Sequence, residues 1–282
     1  MNGRAIEILV VPYDVERGDT PMARGPRGLL EHGFPERLRE AGWEVQVAEI
    51  AAPAGSPKLA AVAGIAGRIA GEVERAGSLG RLPVVLSGGC LASLGVVAGL
   101  QRRGHDVAAL WIDAHGDGNT PETSPSGYWD GMALAAVCGL SLPEIREAAG
   151  LIPLDPRHVI HLAGRSFDPL EPGNFDRLGL VRVPPDRIAS EGTRERLRSC
   201  VADRSLYLHV DVDGLDPRDA PAVGYPEPDG ARLADLLGCR AALPPAAAIT
   251  FSALSFDRAS PEEAERTVDA CVRLVSAFLR TG

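Results

Sequence analysis

The sequence predicts an α/β protein built on a mostly parallel sheet of about eight strands with crossover helices on both faces. Eight short apolar runs recur along the 282 residues, at 6–11, 43–47, 84–86, 107–112, 158–162, 180–183, 206–210 and 247–251. Between most of them lie amphipathic stretches such as 58–76, 193–202 and 261–279, the last with apolar residues at helical spacing. Runs such as 107–112 are apolar without alternation, the pattern of a strand covered on both faces, which the βαβ crossover produces.

In order along the chain, residues 1–11 read as a first strand, since the stretch is too short and too acidic for a signal peptide. The run at 84–86 leads into Ser87-Gly88-Gly89-Cys90, and the run at 107–112 ends abruptly in Asp113-Ala114-His115-Gly116-Asp117. The run at 206–210 ends the same way, in Asp211-Val212-Asp213. Segments 116–128 and 214–230 are rich in Gly, Pro, Ser and Asp and are expected to be irregular. Each follows one of the acidic strand ends, so together they should form the rim of a site.

Composition narrows the partners. A net charge of −9 without basic clusters argues against nucleic acid and against an anionic membrane surface. No apolar stretch reaches the length needed to span a bilayer. Five scattered cysteines without CxxC spacing fit a reducing compartment, so a cytoplasmic location is expected. No linker composition interrupts the chain, which favours a single domain over 1–282. Small molecules and other copies of the chain are the expected partners.

The chemistry follows from the acidic strand ends. Side chains alternate along a strand, so Asp113 and His115 share one side of theirs, and Asp211 and Asp213 share one side of theirs. If the two strands are neighbours, the four groups converge. Carboxylates gathered in a cleft repel, and a divalent cation is the simplest way to keep them ionised together. Oxygen-rich ligation with one imidazole suits manganese, and less securely magnesium, iron or zinc.

These segments, with Asn119-Thr120-Pro121, Ser126-Gly127 ahead of Gly131-Met132, and His209-Val210-Asp211-Val212-Asp213-Gly214-Leu215-Asp216-Pro217, resemble the ureohydrolase superfamily of arginases, agmatinases and formiminoglutamases over nearly the whole chain. The resemblance implies a three-layer α/β/α fold with an eight-stranded parallel sheet, assembly into homo-oligomers (trimers or hexamers), and a manganese centre that hydrolyses a guanidine or amidine. Carried over by position, Asp113 and Asp211 would bridge two metals, His115 and Asp213 would complete one shell, and Asp117 would belong to the other. Asn119 and Ser126 would meet the α-carboxylate of an amino-acid substrate, and Asp168 its amino group.

Three departures accompany the match. Cys90 stands where the family has a histidine ligand, with Gly89 in the place of the preceding aspartate; a thiolate is softer and must first lose its proton. Asp130 stands where the family has a proton-shuttling histidine, a task that a carboxylate of raised pKa can perform. The glutamate that grips the guanidinium falls at Ser255; Asp257, two residues on, shares its face if the strand continues and would then be a partial substitute. Cys90 and the Asn119-Thr120-Pro121 and Gly127-Tyr128 segments resemble a divergent branch that includes Nω-hydroxy-L-arginine amidinohydrolase, whose substrate is less basic than a guanidine. A ureohydrolase fold that binds a ligand or partner subunit without catalysis, or a mononuclear deacylase related to histone deacetylases, would also accommodate the lost histidine. His32, His105, His158, His161 and His209 read as structural imidazoles.

Overall fold

The computed structural model describes residues 5–14, 19–51 and 56–279; the start of the first expected strand, at 1–4, lies outside them. The described elements run β1 (Ala5–Val11), α1 (Pro21–Glu31), α2 (Phe34–Glu40), β2 (Glu44–Glu49), α3 (Lys58–Ser78), β3 (Leu82–Ser87), α4 (Ala92–Arg102), β4 (Val107–Ile112), α5 (Ala133–Val137) and α6 (Pro143–Ala149). They continue with β5 (Val159–Leu162), α7 (Glu171–Leu178), β6 (Val181–Val183), α8 (Glu191–Val201), β7 (Ser205–Asp211), α9 (Leu233–Cys239), β8 (Ala246–Ser252) and α10 (Pro261–Phe278). All eight expected strands are present. They form one sheet in the order β2-β1-β3-β8-β7-β4-β5-β6, and every pairing between described strands is parallel, where the sequence suggested a mostly parallel sheet.

Alternation along the strands divides the core into two. Ile8, Leu86, Leu110, Leu208 and Phe251 pack with α1, α2, α8, α9 and α10 on one face. Leu9, Val85, Ala109, Trp111 and Tyr207 pack with α3, α4, α5 and α6 on the other. Helix α10 begins with a capping box, in which Ser260 accepts from Glu263 N–H and Glu263 accepts from Ser260 N–H. Helix α4 is buried along almost its whole length, with Gly95 and Gly99 against the backbone of α3. Among the described residues no helix is long and apolar enough to cross a membrane, and all five cysteines are free.

Because every strand points the same way, their carboxyl ends share one edge, where open α/β sheets bind ligands. β4 pairs with β7 in the register Trp111↔His209 and Ile112↔Val210. The next residues out of the sheet are therefore Asp113 and Asp211, side by side. β8 flanks β7, with Asp211 opposite Ser252. Backbone strain gathers at this edge: Asp117, Ala163 and Ala253 have positive φ at 52°, 74° and 56°, each shortly after a strand, at a typical cost of about 1–3 kcal/mol apiece.

Candidate metal centre and substrate cavity

A cavity of about 300 Å³ opens over the ends of β3, β4, β7 and β8. Its wall includes Cys90, Asp113, His115, Asp117, Asp211 and Asp213, together with Asn119, Ser126, Asp130 and Asp168. Asp113, Asp117, Asp211 and Asp213 are each at most 5% exposed.

One corner is built around His115. Its Nδ1 lies 3.3 Å from Asp213 Oδ2 and 3.7 Å from Asp113 Oδ1. Asp113 is held in turn by Trp111 Nε1–H at 3.2 Å on Oδ2 and by the His115 backbone N–H at 2.8 Å on Oδ1. The Ala114 backbone N–H donates to Asp213 Oδ1, and the Asp213 N–H to Asp211 Oδ1. The two local Asx-type bonds at 113 and 211, with the inter-strand bond from Ala114, aim the carboxylates across the cleft. Asp113, His115 and Asp213 each place a ligand atom within 4.8 Å of the others, the arrangement of a metal shell.

The second corner is built around Cys90. The Sγ donates to Asp211 Oδ2 at 3.1 Å and lies 3.3 Å from Ser252 Oγ. Ser252 Oγ also donates to Asp211 Oδ2 at 3.3 Å and lies 3.4 Å from His209 Nε2. Cys90, Asp113, Asp117 and His209 bring ligand atoms within 4.8 Å of one another. His209 departs from its purely structural reading in coming this close. Its Nε2 nevertheless faces Ser252 and its Nδ1 faces the Tyr207 hydroxyl at 3.3 Å, while its ring stacks on Trp111. It braces the floor of the site.

The electrostatics call for a cation. Burial, then the neighbouring acids, raises the carboxyls of Asp113, Asp117 and Asp211, and burial raises Asp213. Burial opposes a charge on His115, but its bonds to Asp113 and Asp213 prevail and push the imidazole up to about 12. The same acids that favour a charge on His115 would favour a divalent ion between them. Asp117 Oδ2 is buried without a hydrogen-bond partner among the described residues, so its lone pairs are available to a ligated ion. Burial, followed by Asp117 and Asp211, holds the Cys90 thiol well above its usual range. The donor set fits a hard to borderline divalent ion at the His115 corner, and fits one less well at the Cys90 corner.

The rest of the wall is polar. Asn119 Nδ2 donates to Asp168 Oδ2 at 2.8 Å, so these two expected recognition groups meet. Ser126 is exposed at the rim, its Oγ accepting from the Tyr128 N–H. Asp130 is buried on a 3-10 turn over Asp130–Met132 and accepts from the Leu91 N–H at 2.9 Å.

Two expected residues lie elsewhere. The notion that Asp257 shares a face with Ser255 requires the strand to continue, but β8 ends at Ser252 and Ala253 turns the chain with a positive φ. Ser255 and Asp257 line a neighbouring cavity of about 610 Å³, and Asp257 is paired with Arg24. The residue that follows β8 onto the wall of the first cavity is Ala253. Sequence reasoning missed Glu171, which lines the same wall and accepts from the Gly118 and Asp168 N–H groups; burial pushes its carboxyl up to about 7. Its position one turn past Asp168, at the start of a helix, was the available signal.

Comparison with known proteins supplies the remaining findings. Residues 4–279 match the model of the Arginase family. An arginase of Bacillus caldovelox is 33% identical over 248 residues, covering 79% of this chain and 80% of that protein. An N(omega)-hydroxy-L-arginine amidinohydrolase of Streptomyces lavendulae is 31% identical over 196 residues, covering 69% and 68%. The crystal structure of an arginase from Bacillus cereus superposes with a TM-score of 0.86 at 26% identity, covering 99% of both chains.

Proposed function

Given that the chain belongs to the arginase family, we propose that it is a metal-dependent hydrolase cleaving a C–N bond of a guanidino or amidino compound, with an Nω-hydroxy-L-arginine-type amino acid as its preferred substrate. The observation that carries this reading is the convergence of Asp113, His115, Asp211 and Asp213 from two paired strands onto one cavity.

In this reading those four residues hold one divalent ion, Mn2+, while Cys90 and Asp117 flank a weaker second position. A divalent ion there supplies Lewis acidity and a water acidic enough to act as nucleophile at neutral pH. The chain's own groups do the rest. Asn119 and Ser126 offer an amide and a hydroxyl to the substrate's α-carboxylate, and Asp168 accepts from its α-ammonium, a charge-assisted bond that orients the molecule. Asp130, as a carboxylate, takes a proton from the attacking water and passes it to the departing nitrogen.

Two features support the N-hydroxylated substrate. Ala253 provides no carboxylate where the wall follows β8, and a less basic N-hydroxyguanidine depends less on such a group. The relative from Streptomyces lavendulae carries that activity in its name. The test is a hydrolysis assay of the Mn2+-loaded protein on Nω-hydroxy-L-arginine, L-arginine and agmatine. Faster release of hydroxyurea than of urea from either other compound is expected. Faster release of urea from L-arginine would overturn the substrate preference, and silence on all three would overturn the hydrolase reading in favour of a binding subunit.

A further inference from the structure

Gly88 and Gly89 are both glycines for reasons of space, but they make room for different things. A Cβ on Gly88 would meet backbone, lying 2.8 Å from Tyr13 O and 3.0 Å from Ala23 Cα. A Cβ on Gly89 would instead run into one side chain, lying 2.6 Å from the carboxylate carbon of Asp130. Gly89 is not among the positive-φ glycines, so its backbone would accept another residue. What the missing side chain leaves is a niche, and the carboxylate of Asp130 fills it.

The niche has a donor on its wall. Asp130 Oδ1 accepts from the N–H of Leu91, the residue that caps α4 and whose own side chain offers no cap. The amino end of an eleven-residue helix favours negative charge there. Tyr128, whose hydroxyl donates at 2.9 Å to the fully buried Asp14, lines the same cavity two residues before Asp130. The carboxylate is thus held at the cavity wall beside the Cys90 corner.

We propose that Gly89 is a positioning residue for the reaction: the absence of a side chain at 89 sets Asp130's carboxylate on the α4 end, facing the cavity, so that side chains at 89 and a carboxylate at 130 exclude each other. The proposal rests on the reading of Asp130 as the proton-handling group. It also joins two departures from the family pattern, Gly89 and Asp130, into one coupled change.

The experiment compares Gly89→Ala, Asp130→Ala and the double variant of the Mn2+-loaded full chain, measuring kcat and KM on Nω-hydroxy-L-arginine and the melting temperature without substrate. Gly89→Ala displaces a flexible side chain rather than backbone, so the fold should persist while the acid is misplaced. Its kcat should fall about a hundredfold, as in Asp130→Ala, with KM within about threefold. The double variant should fall no further, because both changes remove the same group. Asp130→Asn, which keeps an acceptor for Leu91 N–H but loses the acid, stands in if Asp130→Ala does not fold; it should lose kcat with little change in melting. A Gly89→Ala kcat within about threefold of the native value, or losses that multiply in the double variant, would overturn the proposal. If the native chain hydrolyses no substrate, the functional reading falls and the melting cycle decides the niche separately. A penalty of Gly89→Ala that vanishes when Asp130 is Ala upholds the niche, and one that persists overturns it.

Discussion

The two corners of the candidate metal centre share a cleft and Asp113, and differ most in the group each is built around, His115 or Cys90. At the first, an imidazole lies against Asp113 and Asp213, partly open to the cavity, and its neutral ring offers a nitrogen lone pair directly. At the second, a buried thiol donates its hydrogen to Asp211 and must lose it among acids before it can ligate. Strand pairing delivers ligands to both corners equally well, because β4 and β7 fix Asp113 beside Asp211 whatever stands at 90. Donor chemistry then separates them. Backbone geometry sets where a metal can sit, and a single residue sets how firmly it is held.

The change with the largest expected effect breaks both corners. Asp211→Asn removes a charge that the cleft's cation needs, and it should abolish both retained metal and hydrolysis in parallel metal analyses and turnover assays. Cys90→His sharpens the contrast: it should raise retained Mn2+ from about one to about two ions per chain, since a neutral imidazole ligates without losing a proton. Asp168→Asn probes the cavity rim and leaves both corners intact. Loss of a charge-assisted bond of about 1.5–3 kcal/mol should raise KM roughly ten- to a hundredfold with metal content unchanged, as steady-state kinetics would show.

Glu171 tests the buried wall between them. Its folded-state pKa, raised by burial from 4.5 to about 7, makes its contribution to stability complete at acidic pH and progressively lost as pH rises through about 7. In metal-free protein, urea unfolding should show that Glu171→Gln removes up to about 3 kcal/mol of this pH dependence. An unchanged slope would show that the carboxyl is already ionised in the folded state. The smallest effect is expected of Asp257→Asn, which loses a surface pairing with Arg24: KM should move by less than about twofold. A tenfold rise would return Asp257 to the substrate site.

The first corner was legible because its signal is local. An apolar run that ends in Asp-x-His or Asp-x-Asp states both the strand and the face of its last side chains, and the sheet needed only to place β4 beside β7. Helix α4 left no such trace: buried along nearly all its length, it lacks the polar stripe that marks a surface helix. Asp257 would share the face of Ser255 only if the strand continued, whereas a positive φ at Ala253, which no alanine advertises, turns the chain away. The hold on Asp130 was hidden for a different reason. Leu91 and Asp130 are 39 positions apart, and the space that joins them is the absence of a side chain at 89.

The asymmetry between the corners is tested most directly by counting manganese per chain, by inductively coupled plasma mass spectrometry, after loading with Mn2+ and removal of free ion by gel filtration. The account predicts about one retained ion in the native chain and about two in Cys90→His. Two retained ions in the native chain would contradict it, because the thiol corner would then hold metal as firmly as the imidazole corner.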